Sequence, residues 1–396
     1  MAMPRATLDA WTAHDAARFA VYVHFPYCLS KCPYCDFAST AAKQVPEARY
    51  AKAVLAELDA RLPDVAGREV QAIFFGGGTP SLWAPVYVEA VLAGLSERLP
   101  LAPGCEVTLE ANPGAADATR FSGYRTAGVN RLSMGVQSFD ALTLTKLGRG
   151  HDGAMAVKAF HTAREAGFDN VSMDFIYGVQ GQTVDQVRRD AEAAAALGSE
   201  HLSAYALTLD AESLAEEVPL AKQLSRGEVT LPPDDVVVQM QRVVRDVYRQ
   251  AGLHRYEVSN YARAGFHSRH NSAYWTGGDW LALGVGATGS LGSTRYANVR
   301  SAEKYLALVE SNQLPEKGRE ALSDVERFEE RVAMGLRLAS GVDLEAVCEA
   351  FGQSYDARKA FVEALVSEGL AVHDGGRLRL TDEGLDVHSA IAARLM

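Results

Sequence analysis

Between residues 19 and 207, short apolar runs alternate with amphipathic ones, and this alternation constrains the fold more than any other feature of the 396-residue chain. Phe19–Phe25, Gln71–Phe75, Glu106–Glu110, Arg131–Val136, Asn170–Ile176 and His201–Leu207 carry the apolar, partly β-branched pattern of buried strands. Pro46–Leu62, Ser81–Leu99, Asp117–Ala127, His151–Ala166 and Val184–Leu197 carry helical spacing in between. Strands separated by helices pair in parallel through right-handed crossovers, which predicts an α/β fold. Six such units fall short of the eight that close a barrel, so the expectation is an open, partial (βα)6 barrel. A doubly wound sheet is the structural alternative.

Beyond residue 210 the periodicity weakens, with Pro219, Pro232 and Pro233 as punctuation. A helix is predicted over Asp234–Ala251, with Asp234 or Asp235 as cap and Gly252 past its end. A glycine- and aromatic-rich stretch follows from Tyr256 to Tyr296. From about residue 321 three helical pieces precede two short strands around Asp374-Gly375-Gly376, a hairpin by its turn chemistry, and a last helix over Asp382–Leu395. That order predicts a winged-helix-like module. The division expected is a short N-terminal segment (1–18), a barrel (19–210), a linker with the region that contains His270–Trp275 (211–320) and a mostly helical C-terminal domain (321–396).

The chain is 48% hydrophobic and 22% charged, with a formal net charge of −11 and no basic run, a balance that argues against a nucleic-acid groove even for a winged-helix-like module. No apolar segment approaches the length that spans a bilayer, and the N-terminus lacks the apolar core of a signal peptide. A cytoplasmic protein without an integral membrane segment is expected. Three of the five cysteines cluster, which points to metal chemistry in a reducing compartment, whereas Cys105 and Cys348 stand alone as small apolar residues.

The clustered thiols, Cys28, Cys32 and Cys35, follow the first strand with the spacing C-x3-C-x2-C. Three thiolates are one short of a closed structural zinc site but suit a [4Fe-4S] cluster with one iron left open to an outside ligand. A zinc site completed by His24 or Asp36 is the alternative. In a parallel barrel the chemistry lies at the C-terminal ends of the strands. Applied here, that rule collects the cysteines, Gly76-Gly77-Gly78-Thr79, Glu110-Ala111-Asn112, Gln137-Ser138, Asp174 and Tyr205-Ala206 on one rim. The glycines after the second strand would let backbone amides approach a ligand.

These motifs resemble the radical S-adenosylmethionine (SAM) superfamily: three cysteines at this spacing with an aromatic before the last, then Gly-Gly-Gly-Thr-Pro after the second strand. The resemblance implies that the methionine end of SAM chelates the open iron, and that a reduced cluster cleaves SAM to a 5′-deoxyadenosyl radical. It narrows to the oxygen-independent coproporphyrinogen III oxidases and their relatives, over nearly the whole chain. By motif order, the resemblance makes Tyr22 and Tyr34 aromatic contacts to SAM, Gly77, Gly78 and Thr79 binders of its methionine end, and Glu110, Gln137, Arg149 and Asp174 contacts to its polar groups, with Ala206 beside them. The oxidases have a further cysteine two residues after the third, where this chain has Phe37, and a long N-terminal extension in place of the short 1–18 segment. Cys35-Asp36-Phe37 and His270-Asn271-Ser272-Ala273-Tyr274-Trp275 resemble instead the HemW family of haem chaperones. The implied function is haem binding and delivery to an acceptor protein, with oxidase activity expected to be absent; the alternative is the radical-SAM oxidase itself. His270 is the candidate haem ligand, flanked by Tyr274 and Trp275 as stacking partners. His267 is a rival ligand, and a packed loop with a hydrogen-bonded histidine is the other reading of the segment.

Overall fold

The computed structural model describes residues 17–115, 117–209 and 217–396. Six strands, β1 (Arg18–Phe25), β2 (Glu69–Gly77), β3 (Leu101–Ala111), β4 (Arg131–Gln137), β5 (Val171–Tyr177) and β6 (His201–Ala206), lie side by side in chain order. Every neighbouring pair is parallel. Helices Glu47–Arg61, Pro85–Arg98, Ala118–Ala127, Gly153–Glu165 and Val184–Ala196 make the crossovers. Six further strands follow: β7 (His254–Arg255), β8 (Asn260–Ala262), β9 (Asp279–Gly284), β10 (Thr288–Leu291), β11 (Thr294–Asn298) and β12 (Glu316–Ala321). They extend the same sheet at both edges, in the order β12-β11-β10-β9-β1-β2-β3-β4-β5-β6-β8-β7. The sheet is open, as a partial barrel is.

The stretch 254–321 therefore supplies sheet. Strand β9 pairs in parallel with β1, adding a seventh parallel strand, while β10 to β12 meander antiparallel. Its glycines and aromatics hid this: such short strands give little alternation to detect. A buried polar network bolts the extension to the first crossover helix. Arg61 Nε donates to Glu57 at 2.9 Å, Nη1 to Glu316 at 2.8 Å and Nη2 to Asn298 at 3.0 Å, with the guanidinium over the Tyr296 ring. Removing one member of such a buried set costs about 3–5 kcal/mol.

Alternation along β1 sets the two faces of the sheet. Phe19, Val21, Val23 and Phe25 are buried in the large core under the crossover helices. Ala20, Tyr22 and His24 point to the concave side. There a short helix, Arg269–Trp275, is inserted with Ala273 packed on Ala20 and Ala72. Only small side chains leave room for a helix at that spot. Its N-terminus is held by β3: Glu106 accepts from the main-chain N–H groups of Arg269 (2.9 Å) and His270 (3.3 Å), placing a carboxylate at the positive end of the helix.

Among the local boundaries that differ from the sequence reading, three stand out. The helix expected from Ser81 starts at Pro85, after a tight turn over Pro80–Leu82, because proline is at home in a first helical turn. At Asp234–Gln250 the residue before the helix is Pro233, and neither Asp234 nor Asp235 caps it; both sit in the first turn, where their charge meets the dipole. The last helix breaks at Val387 into Asp382–Asp386 and His388–Leu395. The C-terminal module has its own core around Phe328, Val332, Leu336 and Leu378 and a three-stranded sheet of Val342–Asp343, Arg377–Leu380 and Ala371–Asp374. Gly375 and Gly376 take φ of 56° and 82° in its hairpin turn, a conformation that favours glycine. Among the described residues no helix is long and apolar enough to cross a membrane. The 1–18 segment up to residue 16, and the 210/211 boundary, fall outside the described residues.

Candidate functional site

A cavity of about 620 Å³ opens at the C-terminal ends of β1 to β6. Its wall includes Cys28, Cys32 and Cys35, Tyr22 and Tyr34, Gly77, Gly78 and Thr79, Glu110, Gln137, Arg149, Asp174, Ala206 and His270. Residues spread over some 240 positions of sequence are thus gathered on one side of the sheet, most of them from the ends of parallel strands, with Tyr22 and Asp174 from within strands and His270 from the inserted helix.

The cysteine loop leaves β1 and is clamped by main-chain bonds, Thr40 N to Pro26 O (2.7 Å) and Ala42 N to Cys28 O (3.0 Å). Cys28 is buried, while Cys32 and Cys35 are half-buried and face the cavity. Thr79 Oγ1 lies 3.5 Å from Cys28 Sγ and Arg149 Nη1 3.5 Å from Cys32 Sγ, both as donors. His24 is unavailable as a fourth ligand: Nδ1 meets the Tyr22 hydroxyl at 3.0 Å and Nε2 the Ala38 carbonyl at 3.0 Å. Burial lowers its pKa to about 4. Among the described residues no three His, Cys, Asp or Glu side chains converge on one point as a single metal ion requires. A cubane asks something else, one thiolate at each of three separate corners. Three thiols on one cavity wall, with a hydroxyl and a guanidinium donating to their sulfurs, fit that demand.

The glycine segment works differently from a row of free amides. Gly78 N donates to Phe25 O at 2.7 Å and Thr79 N to Tyr27 O at 2.9 Å, so both amides are spent in holding the cysteine loop. Gly77 N donates to Glu110 at 3.0 Å. The glycines are needed for space. A Cβ on Gly78 would sit 2.7 Å from Tyr27 O, and one on Gly77, at φ +112°, would meet the His24 ring at 2.5 Å. What this segment offers a ligand is carbonyl oxygens, which suit an ammonium group.

Glu110 and Asp174 are carboxylates in a buried setting. Burial first, then the charge of Asp174, pushes the Glu110 pKa up to about 8 against the Gly77 bond. Asp174 is also raised by burial, although Ser133 donates to it at 2.9 Å. A cationic ligand group would restore both as anions. Gln137 ends β4 at φ +65°, in the left-handed region that a non-glycine residue rarely adopts, and its side chain crosses to Gly135. Arg149 also bonds Asn112 Oδ1 and donates to Gly135 O at 2.9 Å, while its buried Nε has no partner. Asn112 joins the site through Thr79, donating from Nδ2 at 3.1 Å. Arg131, Ser133, Ser203 and Phe74 also line the cavity, and sequence reasoning missed them. They face inward along β2, β4 and β6, a parity legible in principle, but one that marks half of all strand residues.

His270 is buried against the cavity. Its ring stacks on Phe74 at 4.9 Å and lies 5.9 Å from Tyr22, and Nε2 meets the Tyr274 hydroxyl at 2.7 Å, while Nδ1 has no partner. Burial lowers its pKa to about 3, so it stays neutral, the form that ligates metal. His267 is half-buried outside this cavity and stacks on Tyr256 at 4.3 Å. Trp275, at the other end of the same helix, does not reach the cavity and faces a second one, with Tyr274 on the wall of both.

The radical SAM superfamily model matches residues 22–194, and the HemN C-terminal domain model residues 322–387. The chain is 35% identical over 381 residues to the haem chaperone HemW of Mycobacterium tuberculosis, an alignment covering 96% of this chain and 95% of the relative. It belongs to the HemW family. The Bacillus subtilis haem chaperone HemW is 31% identical, with 92% and 96% covered, and that of Escherichia coli 39% identical, with 69% and 70% covered. Among solved structures, E. coli coproporphyrinogen III oxidase (HemN), a radical SAM enzyme, superposes with a TM-score of 0.80 at 22% identity, covering 97% of this chain and 91% of that one. That likeness establishes the shared fold and leaves activity open.

Proposed function

We propose that this chain is a haem chaperone: it binds haem, carries a [4Fe-4S] cluster with SAM, and hands haem to an acceptor protein in the cytoplasm. The observation that carries the proposal is the single cavity in which Cys28, Cys32 and Cys35 meet Glu110, Asp174 and Arg149, in a chain of the HemW family. In this reading the three thiolates hold three irons, and Arg149 and Thr79 donate to the sulfurs and set their charge. The carbonyls of Gly77 and Gly78 with the Glu110 and Asp174 carboxylates receive the ammonium of methionine. Gln137 and Arg149 contact the remaining polar groups, and Tyr22, Tyr34 and Ala206 bound the nucleoside. The chemistry that a bound, reduced cluster supplies is cleavage of SAM to a deoxyadenosyl radical. His270 is the residue that would hold haem iron, through Nδ1, which has no partner, or through Nε2 once it leaves the Tyr274 hydroxyl.

The oxidase reading rests on the shared fold with coproporphyrinogen III oxidase. Against it, Phe37 stands, 56% exposed, at the mouth of the cavity where the oxidases have a cysteine. The test is anaerobic reconstitution followed by haem titration and transfer to an apo-haem protein. A Soret band that moves to the acceptor supports the proposal. A reconstituted chain that binds no haem sinks it.

A further inference from the structure

The second cavity, about 710 Å³, lies between the Arg269–Trp275 helix, the β9–β11 meander and the C-terminal module. Its wall combines two indoles, Trp275 and Trp280, with Met334 and Phe351 and with four arginines, 295, 327, 331 and 377. Arg295 pairs with Glu330 at 2.8 Å and Arg327 with Asp324 at 3.2 Å. The other acids on the wall are engaged elsewhere: Asp279 with Arg68 at 2.9 Å, and Asp343 with the main-chain N–H of Ala346 at 3.0 Å.

Arg331 and Arg377 are different. Among the described residues their hydrogen bonds go to main-chain carbonyls: Arg331 to Trp275 O at 3.5 Å, and Arg377 to Ser340 O at 3.5 Å and Gly341 O at 3.3 Å. Burial, and then the neighbouring charge of Arg377, lowers the Arg331 pKa from its usual value. Two half-buried guanidinium groups that repel one another on the wall of one cavity call for an anion between them. The backbone is shaped around one of them: at φ +70°, a Cβ on Gly277 would meet the Arg331 Cδ at 2.9 Å. On the same wall the buried Trp275 Nε1 has no acceptor. The cavity therefore offers two indoles, Trp275 carrying the Arg337 guanidinium over its ring at 4.4 Å, two guanidinium groups with no carboxylate partner among the described residues, and one buried donor without an acceptor, in a volume typical of sites for a sizeable organic molecule.

We propose that this cavity is a second tetrapyrrole site, in which the ring lies against Trp275 and Trp280 and its two carboxylates pair with Arg331 and Arg377. The proposal rests on the haem-chaperone reading and adds a location separate from the cluster cavity, on the other side of the Arg269–Trp275 helix. A ligand with one apolar plane and two carboxylates matches the wall, and recognition there needs no iron.

The test uses the full chain and two metal-free probes, protoporphyrin IX and its dimethyl ester, read by quenching of tryptophan fluorescence. Protoporphyrin IX should bind at least about tenfold more tightly than the ester, the scale of a lost charge-assisted hydrogen bond. The double variant Arg331→Gln, Arg377→Gln should weaken the acid to the level of the ester and leave the ester itself unchanged, which also shows that the variant is folded. Equal affinity for acid and ester, or wild-type affinity for the acid in the double variant, would overturn the inference while haem binding by the wild type keeps the chaperone reading intact. A wild type that binds neither porphyrin nor haem would overturn both.

Discussion

Replacing Glu110 by Gln should make the cluster-free protein more stable while weakening its hold on SAM. In the folded chain the carboxyl titrates at about 8, because it is buried beside Asp174 with one main-chain N–H for company. Unfolded, it titrates near 4.3. The folded state thus binds the proton more tightly, so its contribution to stability is greatest below the unfolded pKa and falls as pH rises through the window between the two values. With 1.36 kcal/mol per pH unit, the ionisable group costs the fold about 1 kcal/mol at pH 5 and roughly 4–5 kcal/mol at pH 8 relative to a group that cannot ionise. Glutamine keeps the oxygen that accepts from Gly77 and removes the charge. Urea unfolding of wild type and Glu110→Gln at pH 5 and pH 8 should therefore show the advantage of the variant growing by roughly 3–4 kcal/mol. Calorimetric titration of SAM into the reconstituted proteins should show the reverse order, with the variant about ten- to hundredfold weaker. A stability difference that stays flat between the two pH values would refute the account of Glu110 as a carboxyl held neutral by burial. SAM affinity unchanged by the variant, or by Asp174→Ala, would remove these carboxylates from the ligand site.

Replacing Cys28, Cys32 or Cys35 by Ala should abolish reconstitution of about four irons and four sulfides per chain, whereas Cys105→Ala should not; stoichiometric zinc without acid-labile sulfide would count against the cluster. Gly78→Ala, whose Cβ would press on Tyr27 O at 2.7 Å, should displace the cysteine loop and lower iron content with little loss of helical signal by circular dichroism. Arg61→Ala should destabilise the chain by about 3–5 kcal/mol in urea because it removes the counter-charge of the buried Glu57. His270→Ala should shift or remove the Soret band of the haem complex, and His267→Ala should do little; the opposite result would move the axial ligand to His267.

Much of the barrel is legible in the sequence because β1 to β6 are long, apolar and separated by helices of regular period. The rim follows from that, since strand ends in a parallel sheet share one side. The extension over 254–321 is not legible. Strands of two or three residues such as β7 and β8 carry no pattern, and β9 reads as a glycine-rich loop until its parallel partner β1 is known. The use of Gly77 and Gly78 as spacers was hidden for a similar reason: their function depends on His24 and Tyr27, which come from another strand and its loop. The His270-to-Trp275 segment reads as one binding motif in the sequence. On a helix, its first and last residues face different cavities, so it borders two sites.

The most direct test of the account uses reconstituted protein, anaerobic and replete with SAM and reductant, supplied in parallel with haem and with coproporphyrinogen III. The account predicts a Soret band from stoichiometric haem, its transfer to an apo-haem protein, and unchanged coproporphyrinogen III. Conversion of coproporphyrinogen III to protoporphyrinogen IX without retained haem would contradict it and make the chain an oxidase.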